Sequence, residues 1–440
     1  MLQPQDLKMR EAYFNKLKAF MDTQSVKVIT GVRRCGKSSL LKLMVRHLAE
    51  RGVPPQQIIE MNFESMEYSQ MDAMALYKHV KALVVPSKRM YLFFDEIQRI
   101  DQWQDAVNSF RVDFDSDIYV TGSNAYLLSS EFSTYLSGRY VEIKMLPLSF
   151  LEFLDFHGFS IHEYHSPSGK LRYRVRDIKG DVYEGREALD AYLRFGGMPV
   201  LAEVGLVQEN ALTLLEGIYT TVVLRDILQR EKRRGQRQIT DPFLLKKICL
   251  FLADNIGNNT SMSSIGNMLV KEKDLDEGPH RKSPAANTVK AYVGALVESY
   301  VFYDIKRFDI QGREYLKTLG KYYIVDPGIR NYLLGFNTYD SGHLLENIVF
   351  LELLRRGYDV AVGKVENLEI DFVATKGDET LYIQVTQSMD DEKTRERELK
   401  PLKLLRNGHP KMIITGETLM ADSLDGFPVV GLTEWLLGKN

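Results

Sequence analysis

The sequence is poor in cysteine, with two among 440 residues, Cys35 and Cys249. They stand in no metal-ligand spacing, and a disulfide framework is not expected. Long apolar runs are missing too. None approaches the roughly 18 residues a membrane helix needs, so no membrane partner is expected. The stretch MLQPQDLKMREAYF has no apolar centre of the signal-peptide kind, which makes the cytoplasm the expected location. Charge of one sign is also lacking. Fifty-seven Lys and Arg against 59 Asp and Glu leave a formal net charge of -2. The chain as a whole is no polycation, and nucleic-acid binding would have to come from a local basic face. No internal repeat or low-complexity tract is visible.

What is present reads as α/β. The stretch LKMREAYFNKLKAFMD, residues 7–22, has helical apolar spacing. Short apolar runs then alternate with longer helical stretches. VKVIT (26–30), IIEMNF (58–63), MYLFFDE (90–96), DIYVTGS (117–123) and YVEIKML (140–146) read as strands. Near-continuous apolar strands predict a parallel sheet covered on both faces, in a three-layer domain over residues 1–147. Residues 148–240 read as helices with a β-hairpin inserted at 169–185, and 241–333 as three helices followed by strands. Residues 334–440 read as a second, smaller α/β domain.

The stretch GVRRCGKS fits G-x-x-x-x-G-K-[ST] at Gly31, Gly36, Lys37 and Ser38. A strand precedes it and a helix follows. In such a loop backbone N–H groups turn inward around phosphate oxygens, glycine permits the close approach, and the helix offers its positive end. Gly31, Arg34, Cys35, Gly36, Lys37, Ser38 and Ser39 are the expected nucleotide contacts. Lys37 would reach the β- and γ-phosphates and Ser38 would ligate Mg2+. Cys35, beside Lys37 and a helix N-terminus, is expected to favour thiolate, so that alkylation would block the nucleotide; a merely tolerated small residue is the other reading.

A second strand ends in Asp95-Glu96. Asp95 would hold Mg2+, and Glu96 would polarise the attacking water. The next strand ends VTGSNA, which places Ser123 and Asn124 where a γ-phosphate is sensed. Arg139 either reaches a neighbouring subunit's nucleotide as an arginine finger or is a plain surface arginine.

Together, VITGVRRCGKSSLL, FFDEIQRI, TGSNA, LSGRY and PLSFLEF resemble the prokaryotic AAA-type ATPases that carry a C-terminal restriction-endonuclease-like, PD-(D/E)XK domain. The resemblance covers essentially the whole chain. It implies an ATP-hydrolysing AAA core with ATP and Mg2+, a helical lid, a winged helix over 241–333 and a nuclease-like fold over 334–440. FGGMP (195–199) matches a landmark of that family but has no evident mechanism. Arg225 is a weak candidate for a second sensor arginine.

The C-terminal resemblance departs from its own chemistry. Glu346, Asp371 and the stretch IQVTQS fall in the nuclease order, but in that third element Gln384 stands at the acid position and Thr386 at the lysine. An amide is a poor Mg2+ ligand and threonine carries no cation, so nuclease activity is not expected. Two partner classes stay open. DNA would meet Thr288, Lys290 and Tyr292 at a helix start, with phosphates near Lys271, Lys273, Arg281, Lys282 and the basic cluster at 228–238. Alternatively, ATP gates the recruitment of a protein. A homo-oligomer fits either reading.

Overall fold

The strand leading into the phosphate loop shows how the first sheet is built. The computed structural model describes residues 7–128, 138–167, 169–221, 226–228, 239–271, 284–316, 320–336, 341–417 and 422–438. In it, α1 (Glu11–Ala19) leads to β1 (Val26–Thr30), whose five residues are all buried. A strand buried along its whole length is covered on both faces, as parallel sheets require. There follow α2 (Lys37–Glu50), β2 (Ile58–Asn62), α3 (Ala73–Leu83), β3 (Met90–Asp95), α4 (Trp103–Asp113), β4 (Ser116–Gly122) and β5 (Tyr140–Lys144). The strands pair in parallel in the order β2-β3-β4-β1-β5. The expected strands thus form one sheet, within a residue or two at their ends.

Phe94, Phe110, Trp103, Leu76 and Val80 fill the core between sheet and helices. An ion pair is buried on the opposite face of the sheet from that core, since Lys27 alternates with Val26 and Val28 along β1. Lys27 on β1 donates to Asp117 on β4, and both side chains are fully buried. Further hydrogen bonds support the pair. The Tyr119 hydroxyl (2.9 Å) and the Asp22 amide (2.8 Å) donate to Asp117, and Lys27 also donates to the Thr23 carbonyl at 3.2 Å.

The chain divides into two compact units, Met1–Pro147 with Glu298–Tyr300, and Leu148–Val297 with Val301–Asn440. The second opens with α5 (Phe150–Phe156), started by a Ser149/Glu152 capping box. The expected hairpin is β7 (Leu171–Arg176) and β8 (Val182–Glu184), to which β6 (Ser160–His165) adds a third antiparallel strand. Next come α6 (Gly185–Phe195), α7 (Gln208–Tyr219), α8 (Pro242–Asp254), α9 (Met262–Lys271) and α10 (Ala286–Glu298). Four short strands follow: β9 (Phe302–Ile305), β10 (Arg307–Asp309), β11 (Glu314–Tyr315) and β12 (Lys321–Ile324). β9 pairs with β12, while β10 and β11 extend a larger sheet. That sheet completes the chain, after α11 (Pro327–Leu334) and α12 (Ser341–Arg355), with β13 (Asp359–Val365), β14 (Leu368–Lys376), β15 (Glu379–Thr386), α13 (Glu392–Leu404), β16 (Lys411–Thr415), β17 (Ser423–Leu424), β18 (Phe427–Gly431) and α14 (Leu432–Leu437). Its order is β11-β10-β13-β14-β15-β16-β18-β17.

The FGGMP stretch acquires a physical reason here. Gly196 has φ +81°, and a Cβ on it would lie 2.2 Å from Asp326 Oδ1. A Cβ on Gly197 would lie 2.4 Å from the Leu148 carbonyl oxygen, and one on Gly328 2.0 Å from that of Phe195. Bare backbone is needed for these segments to meet. Asp326 locks the joint: it accepts the Gly197 amide at 2.6 Å and caps α11 through the Ile329 amide at 3.1 Å. Burial pushes its carboxyl up to about 6, against the pull of those amides.

The sign of the pH effect follows. As pH rises through the window from about 4 to about 6, the unfolded chain loses this proton before the folded chain does. The native state is therefore penalised on going up, by about 3 kcal/mol for a shift of about two units. Urea denaturation at several pH values should show the stability difference between wild type and Asp326→Asn shrinking as pH rises across that window. A pH-independent difference would contradict the assignment.

Candidate functional site

The end of β1 turns sharply, and the sequence explains how. Gly31 has φ +142° and Gly36 φ +104°, conformations that favour glycine. A Cβ on Gly31 would lie 2.1 Å from the Met145 carbonyl oxygen. α2 then starts at Lys37, with Gly36 at its cap. Lys37 folds back over the turn: its Nζ donates to the carbonyls of Gly31 (3.0 Å) and Val32 (3.2 Å), and lies 3.8 Å from Glu96 Oε1. Arg34 is exposed at φ +66°, and Ser38 and Ser39 are half-buried.

Asp95 ends β3. Its carboxylate accepts the Thr121 hydroxyl at 2.6 Å, the Asn62 side-chain amide at 3.0 Å and the Ser38 hydroxyl. Burial pushes its carboxyl up, and the Thr121 and Ser38 hydroxyls oppose that shift. Glu96 sits in the left-handed region at φ +55°. The Thr121 hydroxyl accepts the Glu96 amide at 2.9 Å, while Gln98 (2.5 Å) and Ser123 (2.9 Å) donate to its carboxylate. Asn124 is buried just beyond, and its carbonyl accepts the Leu127 amide at 3.1 Å. Lys37, Ser38, Asp95, Glu96, Ser123 and Asn124 are thus drawn to one edge of the sheet.

Ser38 and Asp95, two oxygen donors in mutual contact, suit Mg2+. That ion takes one or two protein oxygens and completes its shell with water and phosphate. Arg139 is exposed where β5 begins, and its carbonyl accepts the Val26 amide at 2.9 Å.

Cys35 requires a correction. Its side chain is fully buried and its thiol donates to the Met145 carbonyl at 3.5 Å. Burial pushes the thiol up, and Lys37 and Arg10 only partly offset it. Burial thus works against the expected thiolate, because desolvation outweighs the nearby positive charge. Thr121, Asn62 and Gln98 carry no motif that marks them as part of the site. Asn62 had a signal: it is the last residue of β2 and stands in register with Asp95.

The nuclease-like residues also come together, around a cavity of about 690 Å³ bordered by Glu346, Asp371, Gln384, Thr386 and Glu398. Here charges are already paired. Lys321 on β12 lies 2.5 Å from Glu369 and 3.5 Å from Glu346, and the Tyr323 hydroxyl donates to Glu346 at 2.9 Å. The Gln384 amide donates to Glu398 at 2.7 Å, and Asp371 accepts the Val385 amide at 2.8 Å. Burial opposes ionisation of Glu346, yet Lys321, His343 and Tyr323 hold its carboxyl below the usual range. Burial and then Glu346 push Asp371 well up, in the direction opposite to Glu346. Among the described residues no group of three or more His, Cys, Asp or Glu is placed to hold a metal ion. Mg2+ does not fit this cluster, because Lys321 already serves its acids and Gln384 offers only an amide.

Of the expected DNA contacts, Lys290 is exposed and Thr288 half-buried. Tyr292 is buried, and its hydroxyl accepts the amides of Thr240 (3.2 Å) and Asp241 (3.0 Å), so it faces the core rather than a ligand. The Lys271 side chain, Arg225, Lys273, Arg281, Lys282 and residues 229–238 lie outside the described residues.

Residues 23–154 match the model of the AAA domain, and residues 186–340 that of a domain of unknown function (DUF8612). With the five-stranded parallel sheet, this defines the class: the chain carries an AAA domain of the P-loop ATPase type. It is 40% identical over 433 residues to an uncharacterized protein of Haemophilus influenzae, covering 97% of this chain and 98% of that one. It therefore belongs to the same family as that protein. An uncharacterized protein of Methanocaldococcus jannaschii is 29% identical over 383 residues, covering 85% of this chain and 77% of that one. Among solved structures, a Walker-type ATPase of Pyrococcus abyssi is similar with a TM-score of 0.48 at 17% identity, over 75% of this chain and 97% of that one.

Lys321→Met should leave the buried Glu346 and the half-buried Glu369 without their lysine. The expected loss is about 3–5 kcal/mol near pH 8, and smaller near pH 5, where the orphaned acids take up protons. Urea denaturation at the two pH values measures it; an equal, small loss at both would contradict the pairing.

Proposed function

We propose that the protein binds ATP with Mg2+ at the Gly31–Ser38 loop and hydrolyses it, and that nucleotide state is coupled to DNA binding by the second unit. One observation carries the hydrolase reading. The loop with Lys37 at the end of β1 faces Asp95 and Glu96 at the end of β3, and the end of β4 lies between them. Loop amides, Lys37, Ser38 and Ser39 would hold the phosphates. Ser38 and Asp95 would hold Mg2+, which when bound neutralises phosphate charge. Glu96, its carboxylate oriented by Gln98 and Ser123, would take the proton of the attacking water, and Asn124 would sit beside the γ-phosphate. In a homo-oligomer the exposed Arg139 would reach the neighbouring nucleotide.

DNA contact is drawn from a winged-helix reading of residues 241–333. The exposed Lys290 and the basic sequence around 228–238 support it. A protein partner is the second reading, favoured by the exposed apolar side chains Leu171, Val182 and Tyr183 on the β6–β8 sheet and Ile178 in the turn between β7 and β8. The nuclease-like cluster argues for a PD-(D/E)XK fold without cleavage, because its acids are neutralised by Lys321.

ATP turnover with and without duplex DNA tests the reading. Lys37→Ala should lose both binding and turnover. Glu96→Gln should keep ATP but lose turnover by about a hundredfold or more. DNA should stimulate the wild type, and its binding should weaken steeply with salt. Normal turnover by Lys37→Ala would overturn the hydrolase reading. Unchanged turnover with DNA, and no DNA binding at low salt, would leave the protein-recruiting reading in its place.

A further inference from the structure

One buried cation near the phosphate loop has no place in the motif. Arg10 precedes α1 and is only 4% exposed. Its guanidinium grips three backbone carbonyls from two segments. Nη1 donates to Cys35 at 3.0 Å and to Leu146 at 2.8 Å, and Nη2 donates to Pro147 at 3.2 Å. The guanidinium lies 4.6 Å from the centre of the Tyr13 ring, and the Tyr13 hydroxyl accepts the Leu146 amide at 3.1 Å. One side chain therefore joins the loop to the segment leaving β5.

That segment is the loop's backing. The Met145 amide donates to the Thr30 carbonyl at 2.7 Å, and the Met145 carbonyl oxygen fills the space a Cβ on Gly31 would need. The loop cannot move toward it, and Arg10 keeps it from moving away.

The orientation of one peptide follows. A trans peptide is planar, with its C=O and N–H pointing in opposite directions. The Cys35 carbonyl points to Arg10, so the N–H of the same peptide, that of Gly36, points the other way, at the start of α2. An amide there is what an anion at a helix N-terminus meets. We propose that Arg10 is a positioning residue of the phosphate loop: it holds the Cys35–Gly36 peptide so that the Gly36 amide faces a bound phosphate before the nucleotide arrives. The proposal rests on the loop's being a nucleotide site. A lysine is a poor replacement, because an ammonium lacks the planar fork that spans carbonyls from two segments.

The test uses the full chain as Arg10→Met and Arg10→Lys, with two readouts. The first is equilibrium binding of fluorescent ATP with Mg2+. The second is the alkylation rate of each cysteine, followed by mass spectrometry without nucleotide. Both cysteines are buried; Cys35 reports on the loop and Cys249 on loosening of the second unit, while the urea midpoint of the variant, as a control, reports on loosening of the first. Arg10→Met should weaken nucleotide binding by about tenfold to a hundredfold, the effect of losing charge-assisted hydrogen bonds. It should speed alkylation at Cys35 by at least a similar factor while Cys249 stays slow, and Arg10→Lys should fall between. Equal acceleration at both cysteines, or a fall in the urea midpoint that accounts for the Cys35 rate, would mean ordinary destabilisation and overturn the proposal. So would wild-type affinity with an unchanged Cys35 rate. Should the wild type bind no nucleotide, the ATP reading fails by itself, and the cysteine rates with the urea midpoint alone decide whether Arg10 holds the loop.

Discussion

The candidate site depends on the parallel direction of the first sheet's strands. Parallel strands bring all their carboxyl ends to one edge. Residues far apart in sequence, Gly31 after β1, Asn62 on β2, Asp95 on β3 and Thr121 on β4, meet there because each lies at the carboxyl end of its strand. The hydrogen bonds of Asp95 to Thr121 and Asn62 record that convergence. An antiparallel partner at any of these positions would send its last residue to the opposite edge and dismantle the group.

The chain handles buried acid in two contrasting ways. At the first sheet Asp95 is held by hydroxyl and amide donors, which fix its oxygens without cancelling their charge. A cation there has something to neutralise. In the second unit Lys321 lies against Glu346 and Glu369, and burial pushes Asp371 well up. That cluster is closed to further positive charge. The same residue types make a prospective cation site in one place and an ion-pair network in the other: Lys37 stands 3.8 Å from Glu96 and leaves Asp95 to hydroxyl and amide donors, whereas Lys321 lies directly against its acids.

Local signals were legible in the sequence. Five apolar runs became five strands, and Gly-Lys-Ser after the first became the start of a helix. Tertiary signals were not. Arg10, Thr121 and Lys321 act on groups 25 or more residues away, and nothing in their neighbourhoods marks them. Glu398 is hidden in the charged run TREREL, although it is buried against Gln384. Two readings failed for one reason. Cys35 and Tyr292 were assigned by their neighbours in the chain, and both turned out to be buried, where desolvation and backbone contacts decide what they do. The glycines of FGGMP could be matched but not explained, because their partners, Leu148 and Asp326, lie in other segments.

The central claim is that the loop after β1 and the acid ending β3 form a single site for a nucleotide and its cation. Calorimetric titration of the wild-type chain with ATP, with Mg2+ and with EDTA, tests it most directly. One site per chain is predicted, with affinity that falls when Mg2+ is removed and falls again in Asp95→Asn only when Mg2+ is present. Absence of binding at millimolar ATP, or binding equally tight without Mg2+, would contradict it.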